Sequence, residues 1–287
     1  MYEFCEIFVM MSRFTLFGIL LAVTMIVGCS KSDVPENRVF SVKDLANKKV
    51  GVIKGTTAEA YARDFESESG KMILESFPSL EEMVVALSQG ELDAVLSDDV
   101  PAKMTVENNE TLRILNETLK EESYAGVIAK GNMGLLDSVN MALIQMRATG
   151  VYDSIVQYYV AGGPKYHFKP GVTNGPALKV ATYAKFPPFV YHNDKHELVG
   201  SDVDIVRYVA NFLERPVVFI EMDFGEIIGA VRNGEADLGF AAFSVTDERR
   251  EIIDFTDNYA TSKIVVIVRS GETKSFFQQV KDSLLGK

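Results

Sequence analysis

A stretch of sixteen residues, AGGPKYHFKPGVTNGP (Ala161 to Pro176), divides the chain into two parts that read alike. Four Gly and three Pro within it mark a linker, not a packed element. Before it, short β-branched runs alternate with helical patterns: KVGVI (Lys49 to Ile53), a helix from about Thr57, MIL (Met72 to Leu74), a helix Leu80 to Ser88, and DAVLS (Asp93 to Ser97). YAGVIAK (Tyr124 to Lys130) follows as a further strand, and two amphipathic helices, Leu135 to Arg147 and Tyr152 to Tyr159, close the part. After the linker the alternation returns with LKVATY (Leu178 to Tyr183), a helix Val203 to Leu213, VVFIE (Val217 to Glu221), a helix Glu226 to Asn233, DLGFA (Asp237 to Ala241) and KIVVIV (Lys263 to Val268). Such alternation predicts βαβ units around largely parallel sheets, so each part is expected to be α/β. No short-period repeat is present.

The first 29 residues read as an export signal, since Arg13 precedes an apolar run, Phe14 to Val27, too short to span a bilayer. The run IVGC (Ile26 to Cys29) resembles the bacterial lipobox, which implies cleavage before Cys29 and acylation of that residue, with translation starting at Met1 or Met11. The polar run Ser30 to Arg38 then suits a tether. With 29 Lys+Arg against 40 Asp+Glu the formal charge is −11, which repels phosphate backbones and argues against nucleic acid as a partner. Two Cys, one ahead of the cleavage point and one acylated, leave no disulfide or structural zinc site to expect. His192 and His196, in the turn-like HNDKHE, read as solvated and not as a metal pair.

The segments ATYAKFPPFVY (from Ala181), GSDVDI (from Gly200), EMDFGEIIGAVRNGEADLGFAAFSVTDERR (from Glu221) and IDFTDNYA (from Ile253) together resemble the first lobe of the family 3 amino-acid-binding proteins of ABC importers. DLANKKVGVIKGTTAEAY (from Asp44), GELDAVLSDD (from Gly90), YAGVIAKGN (from Tyr124) and MRATGVYDSIVQYY (from Met146) resemble the remainder of the same family. The resemblance implies a two-lobed periplasmic-binding-protein fold of type II. The order departs from the family: the second lobe comes first, so the chain looks circularly permuted, with Tyr124 to Lys130 expected as the one covalent crossing and Lys263 to Val268 beside it as a second crossing held by ladder hydrogen bonds. The rival reading is the tail of one truncated copy fused to the head of another. The implied organisation is a signal peptide at 1–28, a tether at 29–40, lobe II at 41–125, a crossing strand and closing helices on lobe I at 126–160, a linker at 161–177, lobe I at 178–269 and a C-terminal helix at 270–287.

An amino acid brings an α-carboxylate and an α-ammonium, and both need charged partners once water is removed. By resemblance Arg249, in SVTDERR, grips the carboxylate with its planar fork, and Asp98, in LSDD, takes the ammonium. Read alone, Arg249 is a surface helix residue beside Arg250, and Asp98 is a helix cap, a role open also to Asp99. Thr56 and Thr57 follow a strand and open a helix, where backbone N–H groups favour anions. Thr56-x-x-Glu59 is equally a capping box, so Thr56 is expected to cap while Thr57 reaches ligand. Ser244 matches the family's first-lobe hydroxyl, and Ala242 sits where a main-chain carbonyl faces the ammonium. Phe186 and Phe224 match aromatic positions that sandwich the ligand's side chain, though each alone reads as core. Tyr183 stands where several basic-amino-acid binders keep an Asp, which shifts the expectation toward a polar-neutral or apolar ligand.

The implied function is a lipid-anchored, periplasmic or cell-surface receptor, monomeric, that closes on an amino acid and delivers it to an ABC importer permease, with no cofactor and no metal. A ligand-sensing module and a truncated receptor–permease fusion are the alternatives, the latter because SFFQQVKDSLLGK (Ser275 to Lys287) resembles the segment before a membrane domain. A dehydratase-type enzyme on the same scaffold would need a second, differently tuned acid beside Asp98.

Overall fold

The computed structural model describes residues 39–65, 67, 69–166 and 171–270. The expected signal peptide, Cys29 with most of its tether, and the C-terminal segment past Ser270 lie outside the described residues.

The first lobe in chain order carries β1 (Lys49–Ile53), α1 (Thr57–Asp64), β2 (Ile73–Phe77), α2 (Leu80–Gln89), β3 (Ala94–Asp98), α3 (Asp99–Glu107) and β4 (Leu112–Ile114). Val50, Gly51 and Val52 of β1 are buried in succession. This is why KVGVI reads as a continuous apolar run: a parallel strand covered on both faces has no solvent side to alternate toward. Ser79 caps α2 by accepting from the Glu82 N–H at 3.2 Å, and Gly90 stops it in the left-handed region, φ 80°. The strand order β2-β1-β3 is parallel throughout. One apolar cluster, including Val50, Ala94, Leu96 and Ile264, covers one side, and a second, including Met83, Leu87, Val95 and Ile267, covers the other.

The chain crosses on β5 (Lys120–Ala129) to α4 (Met133–Ala148) and α5 (Val151–Ala161). After the linker come β6 (Leu178–Thr182), β7 (Lys185–Phe186), β8 (Val190–His192), β9 (Leu198–Val199), α6 (Ser201–Phe212), β10 (Val217–Glu221), α7 (Ile227–Arg232), β11 (Leu238–Ser244), α8 (Asp247–Ile252), β12 (Ile253–Phe255) and β13 (Ala260–Arg269). Here β10-β6-β11 are parallel and β5 runs antiparallel to β11. Helices α4 and α5, written before the linker, belong to this second lobe. Val139, Leu143, Met146 and Ile155 share one core with Leu178, Val206 and Val209, and the Tyr159 hydroxyl donates to Asp204 of α6 at 2.9 Å. Burying each such aliphatic side chain is worth about 1.5–3 kcal/mol, so the two sides of the linker are held together by core packing as well as by the tether.

The crossing differs from expectation in where it begins. Strand β5 begins at Lys120, four residues before the expected Tyr124, because Lys120 to Tyr124 pair with Ile264 to Ala260 of β13. Strand β13 also crosses: its first half lies against β5, and Ile264 to Ile267 pair with Asp98 to Val95 of β3 in the other lobe. As expected, this second crossing lies beside β5 and is held in the other lobe by ladder hydrogen bonds, and the two half-sheets form one continuous curled sheet.

Candidate functional site

In an open α/β sheet the ligand crevice lies beyond the carboxyl ends of the parallel strands, where the following turns expose side chains and helix N-termini. Both lobes turn these ends toward one cleft. Thr56 and Thr57 follow β1, Asp98 ends β3, Tyr183 follows β6 and Ser244 ends β11. The cleft is lined from one lobe by Ile53, Thr56, Thr57, Ala58, Leu96, Ser97 and Asp98, and from the other by Tyr183, Phe186, Phe224, Ala242 and Ser244. The structure thus brings together eight of the nine residues singled out above, and the ninth, Arg249, stacks on that lining.

Arg249 is held by the local chain. The Thr246 hydroxyl caps α8 by accepting from the Arg249 N–H at 3.1 Å, which fixes where the side chain starts. Its guanidinium carbon lies 5.7 Å from the Phe224 ring centre and 5.5 Å from that of Phe243. Nη1 donates to the Ser244 carbonyl at 2.7 Å, and Nη2 donates to the Gly55 carbonyl of the other lobe at 2.9 Å. Burial pulls the guanidinium below its ordinary range, opposed by Glu122, Glu248 and Asp98. It stays cationic all the same.

Thr56 has the structural half of its two readings. Its hydroxyl accepts from the Glu59 N–H at 3.2 Å, and the Glu59 carboxylate returns to the Gly55 N–H at 2.7 Å. Gly55 itself has φ +81°, and a Cβ there would stand 2.8 Å from the Gly225 Cα of the opposite lobe. Only glycine permits that approach. The Tyr183 hydroxyl donates to the Pro78 carbonyl, a further bond between lobes, and brings no charge to the cleft.

Asp98 occupies the cap position of α3 without a side-chain cap bond, and Asp99 does not replace it there, since its carboxylate faces Ser262 and Lys103. Burial, and then the neighbouring Glu122 carboxylate, push the Asp98 carboxyl up to about 7, while the Tyr124 and Ser262 hydroxyls partly offset this. Ser262 Oγ lies 3.4 Å from Asp98 Oδ1. Phe224 stacks on Phe243 with ring centres 4.6 Å apart, and Phe186 stacks on Phe189 at 5.3 Å. These aromatic walls are both core and lining, so the two readings of Phe186 and Phe224 hold together.

Two residues of the site were not singled out from the sequence. Asp202, in GSDVDI, is buried, accepts from the Ala242 N–H at 2.8 Å and from the Tyr259 hydroxyl at 2.7 Å, and is pushed up to about 7 by burial. Ala242 has φ +50° in a strand whose register with β5 shifts between Gly239 and Phe243. Asp202 thus pins the kink that aims Ala242 and Ser244 at the cleft. An acid on the apolar face of a helix was its sequence signal. The other is Glu122, whose Oε2 accepts from the Thr57 hydroxyl at 2.7 Å and the Ser244 hydroxyl at 2.6 Å. His192 faces Glu221 at 2.9 Å on the surface, and among the described residues no cluster of His, Cys, Asp and Glu suits a metal ion.

Residues 178–287 match the bacterial extracellular solute-binding proteins, family 3. Over 110 residues the chain is 34% identical to the probable histidine-binding protein of Campylobacter jejuni, covering 38% of this chain and 41% of that protein. Over 110 residues it is 30% identical to the arginine-binding extracellular protein ArtP of Bacillus subtilis, covering 38% and 41%. The histidine-binding periplasmic protein of Escherichia coli K12 is 24% identical over 110 residues, covering 38% and 42%. Among solved structures, an ancestral arginine-binding protein bound to arginine is 40% identical over 28% of this chain and 36% of its own, with a TM-score of 0.28. The matched segment spans about two fifths of the length of these curated relatives. That segment is similar to the family 3 solute-binding proteins, and such relatives imply a two-lobed α/β arrangement for the fold. The relatives named are binding proteins. No helix among the described residues is long and apolar enough to cross a membrane.

Proposed function

We propose that the chain is a solute-binding receptor that closes its two lobes on an amino acid for delivery to an ABC importer. The observation that carries this is one cleft with the Asp98 carboxyl at the end of β3 in one lobe and the Arg249 guanidinium, from α8 of the other, stacked on its lining, and with Thr57 and Ser244 facing each other between them. Charges of opposite sign supplied by opposite lobes make ligand binding itself favour closure. Arg249 takes the α-carboxylate with Ser244 and Thr57, Asp98 and the Ala242 carbonyl take the ammonium, and Phe186, Phe224 and Tyr183 contact the side chain. The uncharged Tyr183 favours a polar-neutral or apolar side chain. The lobes are written in permuted order within one chain, a reading supported by α4 and α5 packing on the lobe encoded after the linker. Acylated Cys29 anchors the receptor to a membrane, in the periplasm or at the cell surface, where it acts as a monomer.

Calorimetric titration of the purified protein with each common amino acid tests the reading. Binding of one equivalent per chain by at least one of them is expected. No heat of binding from any member of the set would overturn it.

A further inference from the structure

Glu122 stands near the start of β5, where its neighbours Lys120 and Glu121 are exposed, yet its own side chain is 1% exposed. It is turned inward because β13 pairs with β5 in the register that sets Ser262 opposite Glu122. Its Oε2 accepts two hydrogen bonds, from Thr57 of one lobe and Ser244 of the other. Its Oε1 lies 3.7 Å from Lys120 Nζ, which is half-exposed. The two hydroxyls are those that the proposed function assigns to a ligand's α-carboxylate. Glu122 presents the same chemical group, a planar ionisable carboxylate with the same acceptor capacity. A ligand carboxylate and Glu122 compete for the same two donors, and two carboxylates in contact repel when both are ionised.

We propose that Glu122 is an internal stand-in for a ligand carboxylate: it bridges Thr57 and Ser244 across the cleft, and it decides which ligands bind, because a free carboxylate gains those hydroxyls only by displacing it. The bridge stands on geometry alone, whereas the selection of ligands rests on the amino-acid-binding reading. With the bridge made, the lobes are held together without ligand, and binding carries the added cost of opening it. Lys120 provides the displaced carboxylate with a partner toward solvent. Ligands whose remaining contacts are weak do not meet that cost, so Glu122 narrows the range of amino acids accepted.

Two measurements on the full chain separate the two halves of the proposal. Amide hydrogen exchange without added amino acid compares the parent with Glu122→Ala. Exchange at least tenfold faster in segments 54–60 and 242–249, with α4 and β10 unchanged, is expected from loss of the bridge. Equal rates, or a uniform increase over the whole chain, would overturn the bridge. Should Glu122→Ala not fold, Glu122→Ser carries the same comparison. Calorimetry of Glu122→Gln against the common amino acids then tests selection: binding about tenfold tighter, or a wider set of ligands, is expected, and unchanged or weaker binding overturns it. If neither parent nor variant binds any amino acid, the amino-acid reading falls together with selection, and the exchange result still decides the bridge.

Discussion

The Arg249 guanidinium donates to the Gly55 carbonyl across the cleft at 2.9 Å, so the residue assigned to a ligand's carboxylate also holds the lobes together. With a second N–H on the Ser244 carbonyl and two aromatic rings alongside, the fork is oriented before any ligand arrives. Preorganisation of this kind lowers the ordering cost of binding.

Replacing Arg249 by Ala leaves a ligand carboxylate without its charged partner in the cleft between the lobes. The expected loss is about 2–5 kcal/mol of binding free energy. Titration with the best-binding amino acid checks it, and an unchanged affinity would remove Arg249 from the site.

Gly55→Ala places a Cβ 2.8 Å from the Gly225 Cα at a residue with φ +81°. The clash lies between lobes and obstructs closure, while the left-handed φ costs the variant some stability as well. Affinity should fall at least tenfold while far-UV circular dichroism stays as in the parent. A variant that binds as the parent does would show that the lobes need not approach this closely.

The raised Asp98 carboxyl gives ligand binding a pH dependence. Below about 7 the group holds its proton and offers an ammonium no charge. Affinity should therefore rise as pH increases from about 6 to about 8 and then level, and Asp98→Asn should abolish the rise. Titrations at three pH values suffice, and a flat profile in the parent would count against Asp98 as the ammonium partner.

Stability runs the other way. Asp98 and Asp202 are both raised to about 7 in the folded protein from an ordinary 3.8. Such a group binds its proton more tightly folded than unfolded. Its contribution is greatest at pH below about 4 and is lost as pH climbs toward 7, by at most about 1.4 kcal/mol per unit for each group. Relative to the parent, Asp202→Asn should gain thermal stability as pH is raised from 5 to 8. A midpoint difference that does not vary with pH would show that Asp202 does not titrate in this window.

Membrane attachment should depend on Cys29, since acylation is the anchor that the sequence offers after cleavage. Metabolic labelling with a fatty-acid analogue should mark the parent and leave Cys29→Ser unlabelled. Equal labelling of both would end the lipoprotein reading.

Much of this protein is legible in its sequence because its signals are local. The runs KVGVI and VVFIE coincide with β1 and β10, and β1 in particular is written as unbroken apolar residues because a strand covered on both faces has no solvent side. Ser79 and Thr56 announce their helices because capping is completed within four residues. Thr57, Asp98, Tyr183 and Ser244 could be placed near one another because each stands at or just after the carboxyl end of a parallel strand, a position that motif order reveals. What tertiary structure alone decided depends on register between distant segments. KEESYAG shows Glu121 and Glu122 as equivalent acids at the head of a strand. The pairing of Ser262 with Glu122, 140 positions apart in sequence, turns one into the cleft and leaves the other in water, since strand neighbours face opposite sides. The register of the second crossing was decided in the same way: KIVVIV reads as one strand, and only its partners, β5 at one end and β3 at the other, show where along it the passage from lobe to lobe falls.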